Sequence, residues 1–141
     1  MYNIMVVEND IKLRQRIKAI LELKLPFVSV IEASDAKQTL KRIKQHHPEF
    51  ILVDIRLAKE NGLILAEKIK KEYPNIIITI NSNCDTPEYQ AEAKKVGADY
   101  FLSKKTNTIQ DLLKLVQSIH SGSNRHFLNQ NFSDIDNCEK R

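Results

Sequence analysis

Cysteine is scarce in this sequence: Cys84 and Cys138 stand apart, without a partner at metal-ligand or redox spacing. That argues against a disulfide framework or a metal-binding module and fits a reducing compartment. Long apolar runs are also missing, and none approaches the roughly 20 residues needed to cross a bilayer. The opening Tyr2-Asn3-Ile4-Met5-Val6-Val7 has no basic n-region or cleavage site, so the expectation is a cytoplasmic chain without membrane attachment. There is no repeat, no low-complexity segment and no internal linker before Ser121. Charge of one sign is not massed anywhere. The net +4 comes from lysines spread over helical segments. No basic recognition helix can be read, which argues against direct DNA binding by this chain.

What is present is one domain's worth of residues, 141, of which 42% are apolar and 28% charged. That is enough to bury a real core. Short apolar runs alternate with amphipathic segments of helical period. Strands are expected at Asn3–Val7, Val28–Ala33, Phe50–Asp54, Ile76–Ile80 and Tyr100–Leu102. A first helix is expected over Ile11–Leu23, with Leu13, Ile17, Ile20, Leu21 and Leu25 on its apolar side and Pro26 breaking it. The second, capped by Ser34-Asp35, carries Ala36, Leu40 and Ile43 and ends near His46-His47. The third carries Ile64, Leu65, Ile69 and Tyr73 and stops at Pro74. A polar loop, Asn81–Asp85, precedes a helix opened by Pro87 and closed by Gly97. Thr108 caps the last, with Leu112, Leu113, Val116 and Ile119 inward and Gly122 closing it. Five βα units in series predict an α/β fold, a doubly wound five-stranded parallel sheet of flavodoxin-like (βα)5 type.

The run Phe50-Ile51-Leu52-Val53-Asp54 reads as a strand buried on both faces with a carboxylate at its end. Ligand crevices of such sheets lie at the carboxyl ends of the strands. Strand one ends at Glu8-Asn9-Asp10, and in a doubly wound sheet strands one and three are neighbours, so these acids converge on Asp54. Such a cluster repels itself unless a cation fills it, and hard oxygen ligands favour Mg²⁺ or Mn²⁺. Ser82 follows strand four and Lys104 follows strand five. An acidic pocket with a hydroxyl on one side and an ammonium on the other suits an aspartate that accepts a phosphoryl group, with Asp54 as nucleophile.

These residues resemble the receiver domain of two-component response regulators. The resemblance rests on Met5-Val6-Val7-Glu8-Asn9-Asp10, Leu52-Val53-Asp54, Asn61-Gly62, Ser82, Gly97-Ala98-Asp99 and Lys104, and covers about residues 2–122. It implies the strand order 2-1-3-4-5. The stretch Leu112–Gly122 is similar to receivers that precede a LuxR-type helix-turn-helix. The resemblance also implies roles. Asp54 would take phosphate from a sensor histidine kinase or phosphotransfer protein. Glu8, Asn9, Asp54 and the backbone carbonyl of Arg56 would hold Mg²⁺ (or Mn²⁺), with Asp10 as a substitute ligand. Ser82 and Lys104 would engage the phosphoryl group. Phe101 would be the aromatic switch that follows Ser82 and remodels the face of helix four, strand five and helix five for a downstream protein. Arg56 and Cys84 would set the lifetime of the phosphorylated state.

The pattern bends at three places: Asn9 stands where a second acid is usual, Lys105 where a proline follows the lysine, and Ala58 in the loop after Asp54. Catalysis is expected only as self-catalysed transfer to, and hydrolysis from, the chain's own aspartate. The alternatives are an interaction module that is never phosphorylated, which Asn9 favours, and the receiver part of a longer DNA-binding regulator. A flavodoxin-like redox enzyme is set aside, since Glu8-Asn9-Asp10 would repel a cofactor phosphate. The domain is placed at 1–122, with 123–141 a polar tail or linker stub whose Phe127, Leu128, Phe132 and Ile135 form one weak helical stripe. The sequence leaves homodimerisation open.

Overall fold

A computed structural model describes residues 1–57, 59–83, 86–104 and 108–122. The expectations for Ala58, Cys84, Lys105 and the tail 123–141 lie outside the described residues. The elements alternate as β1 (Tyr2–Val7), α1 (Ile11–Lys24), β2 (Val28–Ala33), α2 (Ala36–His46), β3 (Phe50–Asp54), α3 (Gly62–Glu72), β4 (Ile77–Ser82), α4 (Pro87–Lys95), β5 (Tyr100–Ser103) and α5 (Thr108–Ser121). All strand pairs are parallel, and the order is β2-β1-β3-β4-β5. The expected fold class and strand order therefore hold.

Each face of the sheet carries its own core, because successive side chains of a strand point to opposite sides. Met5, Val7, Ile51, Val53, Ile78, Ile80 and Phe101 pack with Leu65 and Ile69 of α3 and Ala93 of α4. Ile4, Val6, Phe50, Leu52, Tyr100 and Leu102 pack with Ile17 and Leu21 of α1 and Leu112, Leu115 and Val116 of α5. Fully burying one such side chain stabilises by about 1.5–3 kcal/mol, so the two layers together outweigh any polar contact. Three details of the helical stripes differ from expectation. Ile64 is 50% exposed, because Leu63, Leu65 and Ala66 already fill the buried side of α3. Ile20 is only half-buried on α1. Leu115, unassigned from sequence, is fully buried on α5.

The helix starts are set by short polar side chains. The carboxylates of Asp10 and Asp35 accept from the backbone N–H of Leu13 and Gln38. Asn61 accepts from Leu63, and Thr86 from Tyr89 with Pro87 following. These contacts satisfy N–H groups that a helix leaves orphaned. Gly97, at φ 95°, turns the chain out of α4 in a conformation that favours glycine. The strand-four expectation ended too early. Asn81 and Ser82 are strand residues, paired with Asp54 and Ser103, and only Asn83 onward leaves the sheet.

Candidate phosphoryl-acceptor site

Three strands deliver the charged groups to the carboxyl end of the sheet. Val7 pairs with Val53, so the next residues, Glu8 and Asp54, emerge side by side. Both are buried. Lys104 leaves β5 just beyond Ser103, with its backbone N–H donating to the Ser82 carbonyl at 2.7 Å. Its ammonium lies 3.1 Å from Glu8 Oε1 and 3.2 Å from Asp54 Oδ1. One cation thus bridges two buried anions, an arrangement that charge balance makes tolerable. Asp54 Oδ1 also accepts from the backbone N–H of Arg56 at 3.3 Å. Among the described residues, no hydrogen bond or ion pair engages Asp54 Oδ2.

Glu8 is under electrostatic pressure. Burial and, second, the neighbouring Asp54 push its carboxyl above the ordinary carboxylate range. The Asp10 backbone N–H, donating to Glu8 Oε2 at 3.1 Å, and Lys104 pull it back. A second cation at this pair would relieve what Lys104 leaves uncompensated.

The loop after Asp54 is packed tightly against the start of α3. A Cβ added to Gly62 would sit 2.1 Å from the Asp54 carbonyl oxygen, so no larger residue fits without moving one of them. The Gly62 N–H donates to Ile55 at 2.7 Å, and Arg56 forms a single antiparallel bridge with Asn61. Gly62 therefore lets the start of α3 lie directly against the Asp54 carbonyl.

The other expected residues fall as follows. Ser82 is buried at the end of β4. Phe101 is buried with Ile80, Ala93 and Ala98 on the α3–α4 side of the sheet. Asn9 is exposed beside Glu8, and Arg56 is exposed beside Asp54. Asp10 is committed as the N-cap of α1, although it is also exposed. Two residues escaped the sequence reading. Arg14 on α1 donates to the Glu8 carbonyl at 2.8 Å and to Glu32 at 2.8 Å, pinning the end of β1 to β2. Asn81 is the in-register neighbour of Asp54. It looked like a loop residue, and only its pairing with Asp54 holds it in the sheet. Arg14 carried no signal either, because its carboxylate partner Glu32 lies 18 residues away on β2.

Among the described residues, no group of three or more His, Cys, Asp or Glu side chains is placed to hold a metal ion. The donor set nonetheless fits Mg²⁺. That ion takes one or two protein carboxylates and keeps several waters, and Glu8 and Asp54 supply two, with the Asn9 amide adjacent.

The response regulator receiver domain model matches residues 4–117. A response regulatory protein of Staphylococcus epidermidis is 30% identical over 129 residues, covering 86% of this chain and 51% of that protein. The chain spans about half the length of such curated relatives. A CheY-like receiver domain protein from Methanospirillum hungatei superposes with a TM-score of 0.78 at 25% identity, covering 89% of this chain and 98% of that one. A LuxR-family DNA-binding response regulator from Staphylococcus aureus shares the fold, with a TM-score of 0.76 at 20% identity over 84% of this chain and 98% of that one.

Proposed function

The chain belongs to the response regulator receiver domain family, and from that premise we propose that Asp54 accepts a phosphoryl group from a phosphohistidine, in a Mg²⁺-dependent reaction. The donor is a sensor histidine kinase or a phosphotransfer protein. The observation that carries this reading is the Lys104 ammonium held between Glu8 and Asp54 at 3.1 and 3.2 Å, with Asp54 Oδ2 uncommitted among the described residues.

In the step itself, a carboxylate oxygen of Asp54 attacks phosphorus while the P–N bond to the donor imidazole breaks. The imidazole leaves with the bonding pair, and Asp54 becomes an acyl phosphate. Lys104 offsets the charge that arrives. The Arg56 N–H holds Oδ1, which orients the other oxygen outward. Ser82, at the end of the adjacent strand, supplies a hydroxyl for a phosphoryl oxygen. Bound at Glu8, Asn9 and Asp54, Mg²⁺ would supply positive charge to the equatorial phosphoryl oxygens. Phe101 is the switch that follows Ser82, and the output is a protein partner on the face of α4, β5 and α5. This chemistry stays on the chain's own aspartate.

The half-length coverage of the curated relatives favours a second reading of context, in which this receiver governs a larger DNA-binding regulator. Incubation with acetyl phosphate and Mg²⁺, followed by intact-mass measurement, tests the proposal. Wild type should gain the mass of one phosphoryl group, and Asp54→Ala none. No uptake by wild type, or undiminished uptake by Asp54→Ala, would leave the protein an interaction module only.

A further inference from the structure

On the face of the sheet that carries Asp54, β4 contributes a side chain with an unanswered polar atom. Asn81 pairs in register with Asp54 and is 1% exposed. Strand alternation sets its side chain on the α1–α5 side, since Ile78 and Ile80 belong to the opposite core while Asp54 shares the face of Phe50 and Leu52. Its amide oxygen is buried and has no hydrogen-bond partner among the described residues. An acceptor left in that state bears the full cost of desolvation.

A complementary deficit lies on the neighbouring strand. A lysine ammonium has three N–H groups. That of Lys104 hydrogen-bonds Glu8 at 3.1 Å and lies 3.2 Å from Asp54 Oδ1, and it has no further partner among the described residues. Lys104 starts beyond β5 and ends against groups from β3 and β1, so its stem crosses β4. Asn81 is the last β4 residue on that face.

We propose that Asn81 is a positioning residue for Lys104, taking one of its N–H groups when Asp54 is phosphorylated. The inference rests on the reading of Asp54 as phospho-acceptor. With acetyl phosphate, the bond between phosphorus and the acetyl oxygen breaks, acetate leaves with the electron pair, and a new P–O bond forms to Asp54. The negative charge then sits on the phosphoryl oxygens instead of on Oδ1. The ammonium follows that charge, which breaks its contact with Oδ1. Asn81 accepts the freed N–H and keeps the lysine over β4, where another N–H meets a phosphoryl oxygen. Being neutral, the carboxamide anchors the lysine without drawing it away as a third carboxylate would.

A double-mutant cycle read by the rate of phosphoryl uptake from acetyl phosphate tests this. Asn81→Leu should slow uptake about tenfold, the rate equivalent of one hydrogen bond to a charged group. It should also raise the thermal midpoint, because the unpaired acceptor is gone. In a Lys104→Met background the same replacement should have no further effect on uptake. Asn81→Ala is read through the same cycle should the leucine fail to fold. Uptake at the wild-type rate, or equal losses in both backgrounds, would overturn the role of Asn81 while leaving Asp54's intact. Absence of uptake by wild type would remove both.

Discussion

Between acid and neutral pH, Glu8 couples protonation to the stability of this molecule. Its carboxyl is raised by burial first and by Asp54 second, so the folded chain holds the Glu8 proton more tightly than the unfolded chain does. The unfolded state therefore ionises first, near the ordinary value of 4.5, and stability falls as pH rises from there to the raised folded value. Above that value the penalty is complete. Urea midpoints measured between acid and neutral pH should decline in wild type and stay flatter in Glu8→Gln; parallel curves would count against it. At the same scale, the exposed Arg56 is proposed to pair with the phosphoryl group and slow its hydrolysis, since its own N–H already touches Asp54 Oδ1. An exposed pair contributes at most ~1 kcal/mol, so Arg56→Asn should hasten dephosphorylation by no more than about fivefold. Identical decay curves for the two proteins would reject that role. Glu8, Asp54 and Lys104 were legible as residues because each follows a strand read from its apolar run. Their pairing was not, because the same lysine could as well have faced water.

Among the elements, α4 is the one most lightly tied down. Its buried residues are Gln90 and Ala93, whereas α3 buries Leu63, Leu65, Ala66 and Ile69. Little apolar area is lost when such a helix shifts, so its local opening free energy is low. That suits the proposed output face of α4, β5 and α5, and it gives a measurable consequence. Amide hydrogen exchange in α4 should run at least roughly tenfold faster than in α3. Equal protection in the two helices would argue that α4 is not the element that moves. The helix boundaries were readable because Asp35, Asn61-Gly62, Pro87 and Gly97 each act within a few residues of themselves. The end of β4 was misplaced for the opposite reason. Asn81 and Ser82 look like loop residues, and only their partners Asp54 and Ser103 on the flanking strands hold them in the sheet.

At the level of the whole molecule, two hydrophobic layers sandwich one sheet, and the charged site sits where three strands end together. The core residues described on both faces, and the groups of the site, fall within residues 4–116. A chain cut after Gly122 is therefore expected to keep its thermal midpoint within a few degrees and its phosphoryl uptake unchanged. A large drop in either, followed by calorimetry and intact mass, would assign residues 123–141 to the domain itself.

By itself, the sequence determined the alternation of strands and helices, the parallel sheet and the strand ends at which the acids would gather. Those follow from hydrophobic period and local caps, interactions that act over a few residues. Tertiary structure alone decided that Lys104 bridges Glu8 and Asp54, that Arg14 pins the end of β1, that Ile64 faces outward and that Asn81 lies buried beside Asp54. The Lys104 bridge, the Arg14–Glu32 pair and the Asn81–Asp54 pairing join groups far apart in the chain, and the facing of Ile64 is set by which side of α3 meets the sheet; all are fixed by the packing of the layers and the register of the strands.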